Sequence, residues 1–113
     1  MGPEDVVRIR HMIEAADSAM TFALGRTRAD LDKDQMLKFA LVQAIQVVGE
    51  AASKVTSEGR AELPAVPWAI IVGMRNRLVH AYFDINQNVV WTTVQKALPD
   101  LLAQLKTLQL PEA

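Results

Sequence analysis

Five side chains suited to acid–base or anion chemistry fall between positions 75 and 82: Arg75, Asn76, Arg77, His80 and Tyr82. An imidazole changes its charge near neutral pH, so it can take up or release a proton under working conditions. A guanidinium presents a fixed fork of donors that fits the oxygens of an anion two at a time. Taken singly, a histidine or an arginine on a helix is ordinarily a solvated surface residue. The signal is therefore their concentration in one short stretch.

Their spacing constrains how they can cooperate. Residues 68–82 contain no breaker except Gly73 and are expected to form one helix, with Ile70, Ile71, Met74, Leu78 and Ala81 gathered on a buried stripe at about 100° per residue. Asn76 and His80, four apart, point away from that stripe; Arg75 and Tyr82 share one flank, and Arg77 takes the other. On a regular helix Arg75 and His80 are separated by about 140°, too far round to converge on one small group. A site using both calls for a second copy, which a two-fold homodimer packed along this helix would supply.

Three further helices are expected to position it. Pro3 fits a first helical turn, Glu4 and Asp5 complement the positive end of the dipole, and Val6, Ile9, Ile13, Ala16, Met20 and Ala23 repeat at helical spacing up to a stop at Gly25. A second helix, capped by Asp32 or Asp34, should run to about Thr56, with an apolar set broad enough to make it central. Gly59, Pro64 and Pro67 mark residues 57–67 as a loop, and the helix at 68–82 starts near Pro67. After a polar gap at 84–88, a fourth helix begins near Asn88, and Pro99 should kink it around residues 95–98 by removing a backbone donor. No strand pattern, internal repeat or low-complexity tract stands out. The expected fold is all-α, a four-helix up-and-down bundle with residues 1–113 as a single domain.

The totals are compatible with this. A chain of 113 residues can hold one core, and with 50% apolar residues but 5% aromatic ones that core must be aliphatic, which favours helix packing. The absence of cysteine removes disulfides, thiolate zinc sites and cysteine nucleophiles, and suits a reducing cytoplasm. The first ten residues mix charges into apolar ones and no later apolar run approaches membrane-spanning length, so a soluble, unexported, cytoplasmic protein without membrane contact is expected. A net charge of −1 argues against a broad basic surface for long nucleic acid, so any nucleic-acid chemistry would rest on a local cationic site. No carboxylate or histidine cluster has metal-ligand spacing, and no cofactor is expected.

The string Arg75-x4-His80-x-Tyr82 resembles the signature of HepT-like toxins within the HEPN superfamily. Its surroundings agree: Leu63-Pro64-Ala65-Val66-Pro67-Trp68 leads in, Gly73-Met74-Arg75-Asn76-Arg77 forms the centre, and Val89-Val90-Trp91 and Leu98-Pro99 follow. With Val48-Gly49-Glu50-Ala51 on the second helix, the likeness spans roughly residues 35–108. Ala81 departs from the pattern, since relatives often carry a polar or acidic residue there; the departure touches neither Arg75 nor His80.

The resemblance implies a HEPN-like dimer that acts as a metal-independent endoribonuclease, the toxin of a type II toxin–antitoxin pair, with Arg75 and His80 as its active site. On that reading His80 takes the proton of an RNA 2′-hydroxyl attacking the adjacent phosphate, and its symmetry mate serves the leaving oxygen. Arg75 would hold the nonbridging oxygens where charge gathers, Asn76 would orient the imidazole or the phosphate, and Arg77 would bind RNA. The product would be a 2′,3′-cyclic phosphate. The family's usual partner is a nucleotidyltransferase antitoxin that attaches adenylate to the signature tyrosine, which makes Tyr82 the expected acceptor. An added nucleotide monophosphate beside Arg75 would exclude RNA by charge and bulk.

Other residues have quieter expectations. Trp68 and Trp91 should be core or interface anchors, Glu50 a buried partner for an arginine of the helix at 68–82, and His11 solvated. Arg8, Arg10, Arg26 and Arg28 could widen a positive rim that Asp17, Asp30 and Asp32 dilute. Two further functions fit the same residues: a non-catalytic binding or dimerisation module that holds nucleotide or a nucleotidyltransferase partner, and a chain that is chiefly a protein substrate for adenylylation.

Overall fold

Two long helices, α1 (Pro3–Ala23) and α3 (Gln35–Ser53), carry about half of the buried core, and the short α2 (Asp30–Lys33) lies in the connection between them. The computed structural model describes residues 1–81, 84–108 and 110, with the backbone alone at Arg75, Val79, His80, Ala81 and Asp84. Pro3 sits at the start of α1 as expected, and Gly25 follows its end with φ +74°, a left-handed value that glycine adopts without strain. Asp34 caps α3 by accepting from the Leu37 N–H at 3.0 Å. The small side chains of Ala16, Ala19 and Ala23 are buried on α1, which packs mainly on α3.

The chain continues through α4 (Ser57–Ala61), α5 (Trp68–Val72), α6 (Met74–Leu78), strands β1 (Val79–Ala81) and β2 (Asp84–Ile85), α7 (Gln87–Thr92), a π-helical turn (Thr93–Ala97) and α8 (Leu98–Leu105). Helix α3 is the hub: it buries residues from Leu37 to Ala52 on several sides, and α1, α2, α5, α6 and α7 all pack on it. Among the described residues no helix is long and apolar enough to cross a membrane.

Three local departures from expectation have physical causes. The loop at 57–67 contains α4, nucleated by Thr56, whose hydroxyl accepts from the Gly59 N–H at 3.1 Å. The helix expected over 68–82 is broken at Gly73 and ends at Leu78, where the chain enters an antiparallel hairpin. Val79, Tyr82, Phe83 and Ile85 are the β-branched and aromatic types that favour extended backbone, and the Asn86 N–H donates to the Leu78 carbonyl at 2.7 Å to close the hairpin base. The expectation of no strand is thus corrected.

The last helix deforms where Pro99 predicted, but as a π turn. Pro99 has no N–H to offer Gln95 and its ring crowds that carbonyl; the Leu98 N–H bonds back five residues to Thr93 instead of four. The Thr93 hydroxyl adds to the bend by donating to the Val89 carbonyl at 2.7 Å.

Candidate functional site

The conspicuous stretch straddles a helix-to-strand junction. Arg75 is the second residue of α6, followed on the same helix by Asn76 and Arg77, both exposed. His80 lies in β1, whose pairing is irregular: Val79 stands opposite Ile85 and Ala81 opposite Asp84, which leaves His80 as the extra residue of a bulge. Bulges re-aim backbone locally and recur beside functional groups. Tyr82 lies outside the described residues. The reading that spread Arg75 and His80 around one helix, and set Asn76 one turn before His80, does not hold, because the helix stops two residues before His80.

Several contacts fix α5 and α6 against the frame. Met74 and Leu78 are buried and anchor α6 to the core, as does Ile71 for α5. Gly49 of α3 lies where a side chain would be crowded: a Cβ there would stand 3.3 Å from the Ile71 carbonyl oxygen, a tight approach, and 3.6 Å from that of Val72, an ordinary contact. The backbone of α3 therefore touches the last turn of α5, just ahead of α6. At the other end of α5 the Trp68 indole N–H donates to the Leu63 carbonyl at 3.1 Å, and the Arg60 guanidinium lies 5.6 Å from the Trp68 ring centre. Arg60 also donates to the Val55 and Ala52 carbonyls at 3.1 and 3.2 Å, satisfying acceptors at the end of α3. Trp68 is thus a core anchor as expected, and Trp91 is half-buried against the same core.

Arg77 bridges the break at Gly73 by donating to the Ile70 carbonyl at 3.2 Å. That uses one of its five donors and leaves the guanidinium at the surface. Ile70, expected on the buried stripe, is 55% exposed, since the break rotates α5 relative to α6. It borders a groove between α5–α6 and the run from α7 to α8, into which Lys96 also faces. This groove was not foreseen, because its two walls lie some twenty residues apart in sequence and meet only through packing.

Half of the supposed basic rim is neutralised, at Arg26 and Arg28. Arg26 pairs with Asp34 at 2.8 Å and Asp30 at 3.4 Å, and Arg28 with Asp32 at 3.0 Å and the Asn88 side-chain oxygen at 2.6 Å. The Arg26 hydrogen bond, with the Leu37 N–H after it, holds the Asp34 carboxyl below its ordinary pKa. Glu50 is exposed and faces Lys54 at 3.6 Å, so its expected burial is corrected: it falls on the outer side of α3. His11 is exposed, as expected.

Residues 12–108 match the family model described as Ribonuclease HepT-like. A protein named "Putative RNase" in Caldanaerobacter subterraneus subsp. tengcongensis is 33% identical over 98 residues, covering 87% of this chain and 88% of its own length. Another "Putative RNase", of Methanocaldococcus jannaschii, is 27% identical over 95 residues, with 84% and 87% covered. The "Probable ribonuclease HepT" of Thermococcus cleftensis is 28% identical over 106 residues, with 94% and 91% covered. No solved structure matches the chain significantly.

Proposed function

The chain belongs to the HepT-like ribonuclease family, and from that premise we propose that residues 1–113 act as one domain, a metal-independent endoribonuclease working through Arg75 and His80. The observation that carries this is the family match itself, which spans residues 12–108 and so includes the arginine-to-histidine stretch. His80 accepts the proton of a 2′-hydroxyl as that oxygen attacks the neighbouring phosphorus, the bond to the 5′-oxygen breaks as the symmetry-related imidazole gives that oxygen a proton, and a 2′,3′-cyclic phosphate remains. Arg75 offers paired donors to the nonbridging oxygens as their charge grows. Asn76 positions the phosphate or the imidazole, and Arg77, exposed on the same helix, binds the RNA backbone.

The active species is a homodimer. Angular separation on one helix no longer argues for it; what supports it is family membership and the apolar surface at the ends of the α1–α3 connection, where Leu24 is 81% and Met36 84% exposed. Its biological setting is a cytoplasmic toxin–antitoxin pair, in which a nucleotidyltransferase neutralises the toxin by adenylylating Tyr82.

Incubating the purified protein with RNA in excess chelator, beside Arg75→Ala and His80→Ala, tests the chemistry. Cyclic phosphate ends from the wild type and none from either variant are expected. Chelator-sensitive cleavage, or cleavage indifferent to both substitutions, refutes it and leaves a binding module. Co-expression with a nucleotidyltransferase followed by intact mass tests the partner: adenylate that persists in Tyr82→Phe rules out that acceptor.

A further inference from the structure

The groove beside α6 has a volume of about 600 Å³, well within the range of small-ligand sites. Its walls are aliphatic, from Ile70, Ile71 and Met74 on one side and Val89, Ala97 and Leu101 on the other. Around them stand Arg77, Lys96, Asn88, Gln104 and a single carboxylate, Asp100. We propose that this groove is a base-binding subsite: it takes one unstacked base of the RNA next to the scissile phosphate, while Arg77 and Lys96 hold the adjoining backbone phosphate. The proposal rests on the ribonuclease reading above and adds where the substrate's neighbouring nucleotide goes.

Four features point the same way. A nucleobase has two apolar faces and a polar edge, and a slot with aliphatic walls and amide-bearing ends matches both. Arg28 donates to the Asn88 side-chain oxygen at 2.6 Å, which fixes that amide so that it offers its N–H groups to a base acceptor. Two cations against one carboxylate make the opening electropositive, as a phosphate requires. Finally, Arg75 and Arg77 share the five-residue helix α6 on opposite flanks, so the mouth of the groove lies across one helix width from Arg75, a span the next nucleotide of a bound strand can cross.

A second copy of the chain suits this surface less well. A two-fold contact is self-complementary, so a concavity near its axis would face another concavity. The wall formed by the π turn is also in keeping with a ligand site, where such turns are frequent.

Two measurements decide it. Single-stranded RNA carrying 4-thiouridine, cross-linked to the full-length wild-type protein, should label peptides spanning residues 65–77 or 88–104; cross-links confined to other peptides overturn the proposal. Sequencing the ends left in a random RNA pool should show a base preference at one position beside the cut. That preference should flatten in Ile70→Glu and in Arg77→Glu/Lys96→Glu, with KM raised about tenfold and kcat changed less than about threefold.

Unchanged preference and KM in both variants overturn it. So does conversion of Ile70→Glu from dimer to monomer, which would make the groove an interface between copies. If the wild type cleaves no RNA, the ribonuclease reading fails by itself, and the cross-link map still decides whether the groove receives nucleotides.

Discussion

The α1–α3 frame and the segment at 68–97 are built on opposite principles. The frame uses two helices of 21 and 19 residues whose apolar faces are buried against each other, with α1 also packing on α8. Its polar groups inside the fold are matched: Asp5, 5% exposed, accepts from the Thr56 N–H at 2.9 Å and from the Thr56 hydroxyl at 2.5 Å. The segment at 68–97 is assembled from pieces of two to six residues, broken at Gly73, at the hairpin and at the π turn. It exposes Ile70, Asn76 and Arg77 beside a groove. The continuous half packs as long regular helices, and the groups suited to chemistry fall where regular structure is interrupted. Interruptions let side chains four or five apart take positions that one helix would forbid.

The sharpest test of that division lies in the site itself. Arg75→Ala and His80→Ala should each lower RNA cleavage by about a thousandfold or more while leaving thermal unfolding nearly unchanged. A large loss of melting temperature in either would show that the segment also supports the frame. Gly49→Val should cross the division, because the new side chain presses on the Ile71 and Val72 carbonyls. About 2 kcal/mol of stability should be lost in denaturant titrations, with cleavage per folded molecule reduced about tenfold as α6 shifts. Full activity in a stable Gly49→Val protein would mean that α5 moves independently of α3.

Asp5→Ala should do the reverse, removing about 2 kcal/mol in the same titrations without altering turnover. Its pH dependence has a definite sign. The Thr56 hydroxyl and then the Thr56 N–H hold the Asp5 carboxyl below its ordinary value. The resulting stability is complete above the unfolded pKa of about 3.9 and disappears as pH falls toward the lower folded value. Unfolding followed between neutral pH and pH 2 should therefore show a steeper acid loss in the wild type than in Asp5→Asn. The smallest effect is expected from Pro99→Ala, which restores a donor to Gln95 and should change stability by less than about 1 kcal/mol. A larger change would tie the π turn to the packing of the whole frame.

Much of the frame was legible because its cues are local. Asp34 three residues before the Leu37 N–H, Pro3 in a first turn, Gly25 after a last turn and Pro99 within a helical run each act within about one turn of their own position. The hairpin was also in the sequence, in the β-branched residues Val79 and Ile85 that bound it, but the helical period ahead of it masked the change. Glu50 was assigned to the interior from its neighbours' hydropathy, which cannot say which side of a helix another element will cover, and Ile70 from the angular period of one unbroken helix, which the break at Gly73 resets.

Residue types and short-range spacing thus determined the helical frame, its caps, the site of its distortion and the cluster of Arg75, Asn76, Arg77 and His80. Tertiary structure alone decided that Asp5 is clasped by Thr56, fifty-one residues away, that Gly49 meets the end of α5, and that two distant helical runs enclose a groove. The reason is range: capping and helical periodicity act over a few bonds, whereas burial and close approach depend on which surfaces meet once the whole chain has packed.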